Sequence, residues 1–164
     1  MDDLDRQLIA LEQNALRYML QVEVPRYPLT ALGLYDFASP MPDPDASLDT
    51  IRHNEIRPPA QMVSALAVAL SLQGVYDPTV IGVPTREAKL VLKRLIASLA
   101  AGHVANAGPS GVDPRWGDNW QSAHWAFFAG LGAFLVWDSL DVVTREAIAR
   151  VVVHEAGRFD FDLP

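Results

Sequence analysis

Residues 116–137, WGDNWQSAHWAFFAGLGAFLVW, carry the most informative pattern in the sequence. Its first ten residues combine three tryptophans with a histidine and several amide and carboxylate groups, and the rest is almost entirely apolar. The apolar run falls short of the ~20 residues that span a bilayer, so it is predicted to be a buried helix of a globular protein. The pattern indicates a polar, aromatic segment that leads into a buried helix.

The composition of the whole chain is that of a globular domain. Its 164 residues suffice for one domain with its own core, since a chain of this size buries roughly 70% of its unfolded surface. Half of the residues are hydrophobic and a fifth are charged, which is typical of globular rather than disordered proteins. The net charge of -7 provides no basic surface for nucleic acid. We therefore expect neither a nucleic-acid partner nor a membrane span.

Cysteine is absent, which excludes disulfides, thiolate catalysis and cysteine-ligated metals. The four histidines lack the spacing and third ligand of a dedicated metal site, so no metal and no cofactor are predicted. The start, Met-Asp-Asp-Leu-Asp, is acidic where a secretory signal is basic and then apolar. The expected location is cytoplasmic, or secreted if a leader has been removed.

Helical spacing of apolar residues predicts helices over residues 3–21, 60–72, 85–104, 119–137 and 141–157. The first helix is predicted to turn Leu4, Leu8 and Leu11 inward and Gln13 and Arg17 outward. The second and fourth helices are apolar on nearly every face and are expected to be buried all round. In the last helix Val142, Ile148, Val151 and Val152 are predicted to face the core.

Proline marks the boundaries of the second helix. The proline-rich segment 22–46 carries many apolar side chains, which favours an ordered crossing segment over a flexible linker. A short turn of helix is expected to end before Pro58, with Pro58 or Pro59 in the first turn of the helix that follows. The resulting order of outer, buried, outer, buried and outer helices is typical of an all-α double layer of antiparallel helices.

Both buried helices begin with a polar cluster. The first cluster consists of Arg52, His53, Asn54, Glu55 and Arg57, and the second of Trp116, Asp118, Asn119, Trp120, Gln121 and His124. If the two helices run parallel, the clusters meet at one end of the bundle, where helix N-termini add amide donors suited to anions. Tryptophan faces pack against sugar rings. The pattern predicts a ligand pocket with convergent polar groups.

Structural roles remain open for the same residues. Asp118 is expected to cap its helix, and His124 to be a hydrogen-bonded core histidine. Arg52, Glu55 and Arg57 are equally explained as a salt-bridge cluster closing the proline-rich segment. Elsewhere, Trp125 and Trp137 are expected to fill core, His103 to cap the C-terminal end of its helix, and His154 and Glu155 to lie on the surface.

The run from Asp118 to Trp125, opening an apolar helix with glycines, together with the alternation of inner and outer helices, resembles the (α/α) toroid domains of carbohydrate-active enzymes. The nearest likeness is to polysaccharide lyases of the heparinase and hyaluronate lyase type. The resemblance implies that Asn119 neutralises a substrate carboxylate and that Trp120 stacks on sugars. Gln121 departs from it, because a second tryptophan belongs there. Such toroids are usually longer, so residues 1–164 are expected to be one helical domain of an incomplete toroid.

Three functions follow as hypotheses. The leading one is β-elimination on uronic-acid-containing oligosaccharides, with Asn119, Gln121 and Arg52 or Arg57 holding the carboxylate and His124 or His53 as base. The second is a glycoside hydrolase using Glu55 and Asp118. The third is a non-catalytic scaffold or regulatory subunit, which predicts a large exposed apolar surface and an oligomer. The toroid is expected to be completed by a longer chain, of which this is the N-terminal part, or by a partner subunit.

Overall fold

The computed structural model describes residues 3–38, 48–108 and 115–158, and the side chains of all of these except 48–54. It confirms the all-α class: the described residues form helices and no strands, apart from two isolated β-bridges. The helices are α1 (Asp3–Tyr18), α2 (Leu48–Ser71), α3 (Pro78–Ile81), α4 (Thr85–Ala101), α5 (Ser122–Leu135) and α6 (Val142–Gly157). None of the helices in the described ranges is both long and apolar enough to cross a membrane.

Helix α2 is longer than predicted. It runs unbroken from Leu48 to Ser71 and contains Pro58 and Pro59, so the prediction of a separate helical turn ending before Pro58 is wrong. Proline removes two helix-closing hydrogen bonds here. The burial of Ile56, Pro59 and Ala60, around the two prolines, offsets the loss of these hydrogen bonds. Tertiary packing has overridden the local signal.

Helix α1 turns the opposite face inward from the one predicted. Leu4, Leu8 and Leu11 are 62%, 56% and 67% exposed, whereas Gln13 and Leu16 are buried. The helix is tied to the body by polar side chains: the Gln13 amide donates to the carbonyl oxygen of Val75 at 2.9 Å. Arg17 and Gln21 likewise donate to the carbonyls of Val80 and Ile81. These backbone acceptors explain why the polar face is the docked one.

Helix α5 is buried on one side only, so the prediction that it is buried all round is wrong. Its small residues pack against α2, and a methyl group at Gly132 would lie 2.8 Å from the carbonyl oxygen of Val63. On the opposite side Phe127 and Phe134 are 60% and 75% exposed. In α6, Ile148 and Val151 are buried as predicted, but Val142 and Val152 are exposed.

The ordered crossing segment is confirmed for residues 24–38, while residues 39–46 of that prediction lie outside the described part of the chain. Val24, Tyr35 and Phe37 are buried. The backbone N–H of Tyr35 donates to Ser98 Oγ on α4 at 2.9 Å, and the Arg94 guanidinium lies 5.5 Å from the centre of the Tyr35 ring. The segment therefore packs along α4.

Helices α2 and α5 run in the same direction. Ile56 and Trp116 line one small cavity, Val63 contacts Gly132, and Leu70 lies beside Phe134. Helix α6 runs antiparallel to α5, since Glu155 contacts Ser122 and Val152 contacts Gly130. The polar starts of α2 and α5 therefore lie at the same end of the bundle, together with the C-terminal end of α6. We call this the polar end.

Candidate functional site

The predicted site residues on α2 are only partly described. Arg52, His53 and Asn54 lie on the helix, but their side chains are outside the described set. Glu55 is half-buried and Arg57 is exposed. Their roles as binding or salt-bridge residues stay predictions.

The tryptophans before α5 differ sharply in exposure. Trp116 is 1% exposed; its indole N–H donates to the carbonyl oxygen of Leu99 at 2.9 Å. Its ring lies edge-on to His103, with ring centres 4.4 Å apart. Trp120 is 76% exposed. Of the two indoles predicted to bind a ligand, only Trp120 offers a free face.

Asp118 does not cap α5, contrary to prediction; the residue before the helix is Gln121, which makes no side-chain capping hydrogen bond. Asp118 has a φ of +59°, uncommon for a residue with a side chain. Two contacts hold it there: its backbone N–H donates to Glu155 Oε1 at 3.2 Å, and its carboxylate lies 2.8 Å from His154 Nε2. Asp118 is thus oriented by α6.

Asn119, Gln121 and His124 follow on the same loop and the start of α5. Asn119 Oδ1 accepts from the backbone N–H of Gln121 at 2.9 Å, and the Asn119 carbonyl accepts from Arg158 at 3.0 Å. Gln121 is half-buried. His124 is exposed, with its ring 4.7 Å from that of Phe128, so the prediction of a core histidine is wrong.

The buried polar centre of this end is the Glu155 network, formed by Glu155, His103, Ser122, Arg158 and Asp118. Glu155 and His103 are 2% and 0% exposed, and His103 Nε2 lies 2.9 Å from Glu155 Oε1. Ser122 Oγ and Arg158 Nη1 each donate to Glu155 Oε2 at 2.6 Å. With the Asp118 N–H, four donors surround one carboxylate. The predictions that Glu155 lies on the surface and that His103 caps the end of α4 are therefore wrong.

The tautomer of His103 follows from its neighbours. Its Nδ1 accepts from the backbone N–H of Ala105 at 3.0 Å, so Nδ1 carries no proton. Nε2 must then carry the proton that faces Glu155. Burial lowers the pKa of His103 below its ordinary value, against the opposing effect of Glu155. His103 is neutral and acts as a hydrogen-bond donor.

Glu155 is ionised. Burial acts to raise its pKa, but hydrogen bonds from Ser122, His103, Arg158 and the Asp118 N–H outweigh burial and hold the pKa below its ordinary value. Its negative charge faces the Arg158 guanidinium. The network thus fixes the loop 115–121 to α6 through hydrogen bonds and the Glu155–Arg158 ion pair.

The Asp118 carboxylate and its partner His154 lie at the edge of the Glu155 network. Their side chains are 34% and 59% exposed, and the ring of His154 lies 5.3 Å from that of His103. Asp118, His154 and Glu155 offer ligand atoms within 4.8 Å of one another. They do not suit a divalent cation, because Glu155 already accepts from four donors and Arg158 contacts both carboxylates. A metal ion would have to displace a positive charge.

A second feature lies away from the polar end. Helices α5 and α6 enclose an open apolar groove with a volume of about 960 Å³. Phe127, Phe134 and Val153 line it and are 60%, 75% and 72% exposed. Its rim includes Trp137, which was predicted to fill core and is 37% exposed.

One sequence signal for Glu155 was present. Ile148, Val151 and Glu155 follow one another at helical spacing, which places the carboxylate on the buried face of α6. Arg158 lies one helical turn away, but the other three donors, Ser122, Asp118 and His103, are 33 to 52 positions away in sequence, which no local pattern specifies. No family model, no curated protein and no solved structure matches this chain.

Proposed function

We propose that the polar end binds an oligosaccharide, with Trp120 as the surface on which a sugar ring stacks. The observation that carries this proposal is the 76% exposure of Trp120 within a loop whose neighbours are hydrogen-bonded to α6. Because hydrogen bonds to α6 hold the loop in place, the exposed indole presents a flat apolar face and loses little conformational entropy when a ligand binds. Trp120 fills no core, so folding does not explain it.

The substrate class we propose is a uronic-acid-containing glycan. Asn119 Oδ1 accepts a hydrogen bond from the Gln121 N–H, so the amide nitrogen of Asn119 is the group that would donate to a ligand carboxylate. Arg115, 43% exposed at the start of the loop, adds a positive charge. The Arg115 guanidinium also contacts the Asp36 carboxylate, which lies 3.6 Å away.

The reaction we propose is β-elimination, with His154 as the base in place of His124 or His53. His154 combines partial exposure with a carboxylate partner at 2.8 Å, and Asp118 stabilises the imidazolium that forms. The C–H bond α to the uronate carboxylate breaks and its proton passes to the imidazole. A carbon–carbon double bond then forms, the bond to the glycosidic oxygen breaks, and that oxygen takes up a proton from water. The imidazolium returns its proton to the hydroxide that remains.

Binding tests the first step. Titration with oligouronates, monitored by tryptophan fluorescence and calorimetry, is expected to give a Kd that rises roughly tenfold in Trp120→Ala, because one aromatic stacking contact is lost. Trp137→Ala, at the other end of α5, is the matched control and should bind normally. Equal losses in both variants, or no binding of any oligouronate by the wild type, would contradict the proposal.

Activity tests the second step. The unsaturated product absorbs in the ultraviolet, and we expect it to form with wild type and to be lost in His154→Gln while binding persists. His124→Gln is the control and should retain product formation. Binding without product in the wild type would limit the proposal to sugar recognition.

A further inference from the structure

The groove between α5 and α6 exposes more apolar surface than folding of one copy explains. Its walls are the large side chains Phe127, Phe134 and Val153, and only Asp138 and Glu155 interrupt the apolar lining. Contiguous exposed apolar patches of this kind mark interaction sites. A groove between two antiparallel helices is the shape that receives a third helix.

The same chain carries a helix with the complementary pattern. Leu4, Leu8 and Leu11 on α1 follow the i, i+4, i+7 spacing of a helix that anchors in a groove, and more than half of each side chain is exposed. Every residue from 3 to 8 is exposed, so the first half of α1 is not packed on the body. Only the second half is docked, through Gln13 and Leu16.

We propose that α1 of a second copy of this chain occupies the α5–α6 groove. The match is one of apolar surfaces: Leu4, Leu8 and Leu11 form an exposed stripe, and the groove lining is apolar except for Asp138 and Glu155. The proposal is independent of the sugar site, since it uses neither Trp120 nor His154.

The area argument favours a reciprocal pair. Each contact covers six side chains that are more than half exposed: Leu4, Leu8 and Leu11 of α1, and Phe127, Phe134 and Val153 of the groove. Each loses roughly 100 Å² of accessible surface, so one helix in one groove buries on the order of 600 Å². Two such contacts, with each copy lending α1 to the other, bury about 1,200 Å², the lower end of stable interfaces. A closed dimer is therefore expected, because a single contact falls short.

Analytical ultracentrifugation of the full chain over a range of concentrations tests this. Wild type is expected to dimerise, and Leu8→Glu and Phe134→Glu are each expected to weaken association by at least about tenfold. Leu32→Glu is the matched control, because Leu32 is 64% exposed but lies on neither surface. All three positions are exposed, so circular dichroism melts should show folded variants. A wild type that stays monomeric at every concentration overturns the proposal.

A mixture of the two variants distinguishes this interface from one in which the α5–α6 faces of two copies pair with each other. Leu8→Glu retains an intact groove and Phe134→Glu an intact α1, so a mixed pair regains one of the two contacts. An equimolar mixture should therefore associate more tightly than either variant alone and more weakly than wild type. If Leu8→Glu still dimerises while Phe134→Glu does not, the α5–α6 faces pair with each other and the proposal is wrong. A mixture that associates no more tightly than either variant alone also contradicts it.

Discussion

Gly117 is the residue on which the loop before α5 depends most directly. Its φ is +117°, and a methyl group there would lie 2.9 Å from His103 Nε2, in addition to contacting Val104. The backbone angle and the contact with the Glu155 network both exclude a side chain. The exposed Trp120 lies three residues further on.

Gly117→Ala is therefore expected to lower the free energy of unfolding by about 1–3 kcal/mol more than Gly108→Ala. Gly108 has a similar φ of +114°, and no atom of the described residues lies within 4 Å of a methyl group placed there, so the comparison isolates the steric contact. Urea denaturation measures both. Equal losses would mean that the contact with His103 and Val104 is relieved without cost.

His103 and Glu155 both make the folded protein less stable as the pH falls. The folded-state pKa of His103 is lowered from 6.5, so the unfolded chain takes up more protons and stability falls as pH drops through about 6.5. The pKa of Glu155 is lowered from 4.5, so a further loss follows below about 4.5.

Thermal melts from pH 8 to 4 check this prediction. Wild type should lose stability below about pH 6.5, and His103→Gln should flatten that part of the profile whatever its absolute stability. His124→Gln, which removes an exposed histidine, should keep the slope. An unchanged slope in His103→Gln would show that another group titrates there.

At the scale of elements, α2 shows how far local signals can mislead. Its two prolines predicted a helix start, yet the helix continues through them because Ile56 and Ala60 are buried on either side. In α1 the leucine spacing predicted a helix correctly but indicated the wrong inner face. Periodicity reports that a helix is amphipathic, whereas its neighbours decide which face is covered.

Pro58→Ala should stabilise the protein by about 1 kcal/mol or more, since it restores an N–H donor for the Asn54 carbonyl within α2. Pro78→Ala is the control: Pro78 lies in the first turn of α3, where the missing N–H costs nothing. Chemical denaturation compares the two. A destabilised Pro58→Ala would mean that packing of the half-buried ring matters more than the helix hydrogen bond.

At the scale of the whole molecule, stability is concentrated in the bundle of α2, α4, α5 and α6. Leu95, Ile96 and Leu99 of α4 are fully buried, whereas every residue from 3 to 8 in α1 is exposed. Local opening of α1 should therefore cost much less free energy than global unfolding.

Hydrogen exchange on dilute protein is expected to show fast exchange for amides of residues 7–12 and exchange only through global unfolding for residues 95–100. Protection of α1 should increase with protein concentration if a second copy covers its leucines. The control is α3, which is docked within one copy and should not depend on concentration. Equal protection of α1 and α4 in dilute solution would contradict the prediction.

The all-α class and the positions of α4, α5 and α6 to within a few residues follow from the sequence, because helix period is a local property. The meeting of two polar helix starts was predicted only on the condition that α2 and α5 run parallel, and their direction depends on tertiary packing. The tertiary structure alone decided that Glu155 and His103 are buried together, that Trp120 rather than Trp116 is exposed, and that α5 has an open apolar side. Each of these depends on side chains far apart in sequence that meet only when the helices pack.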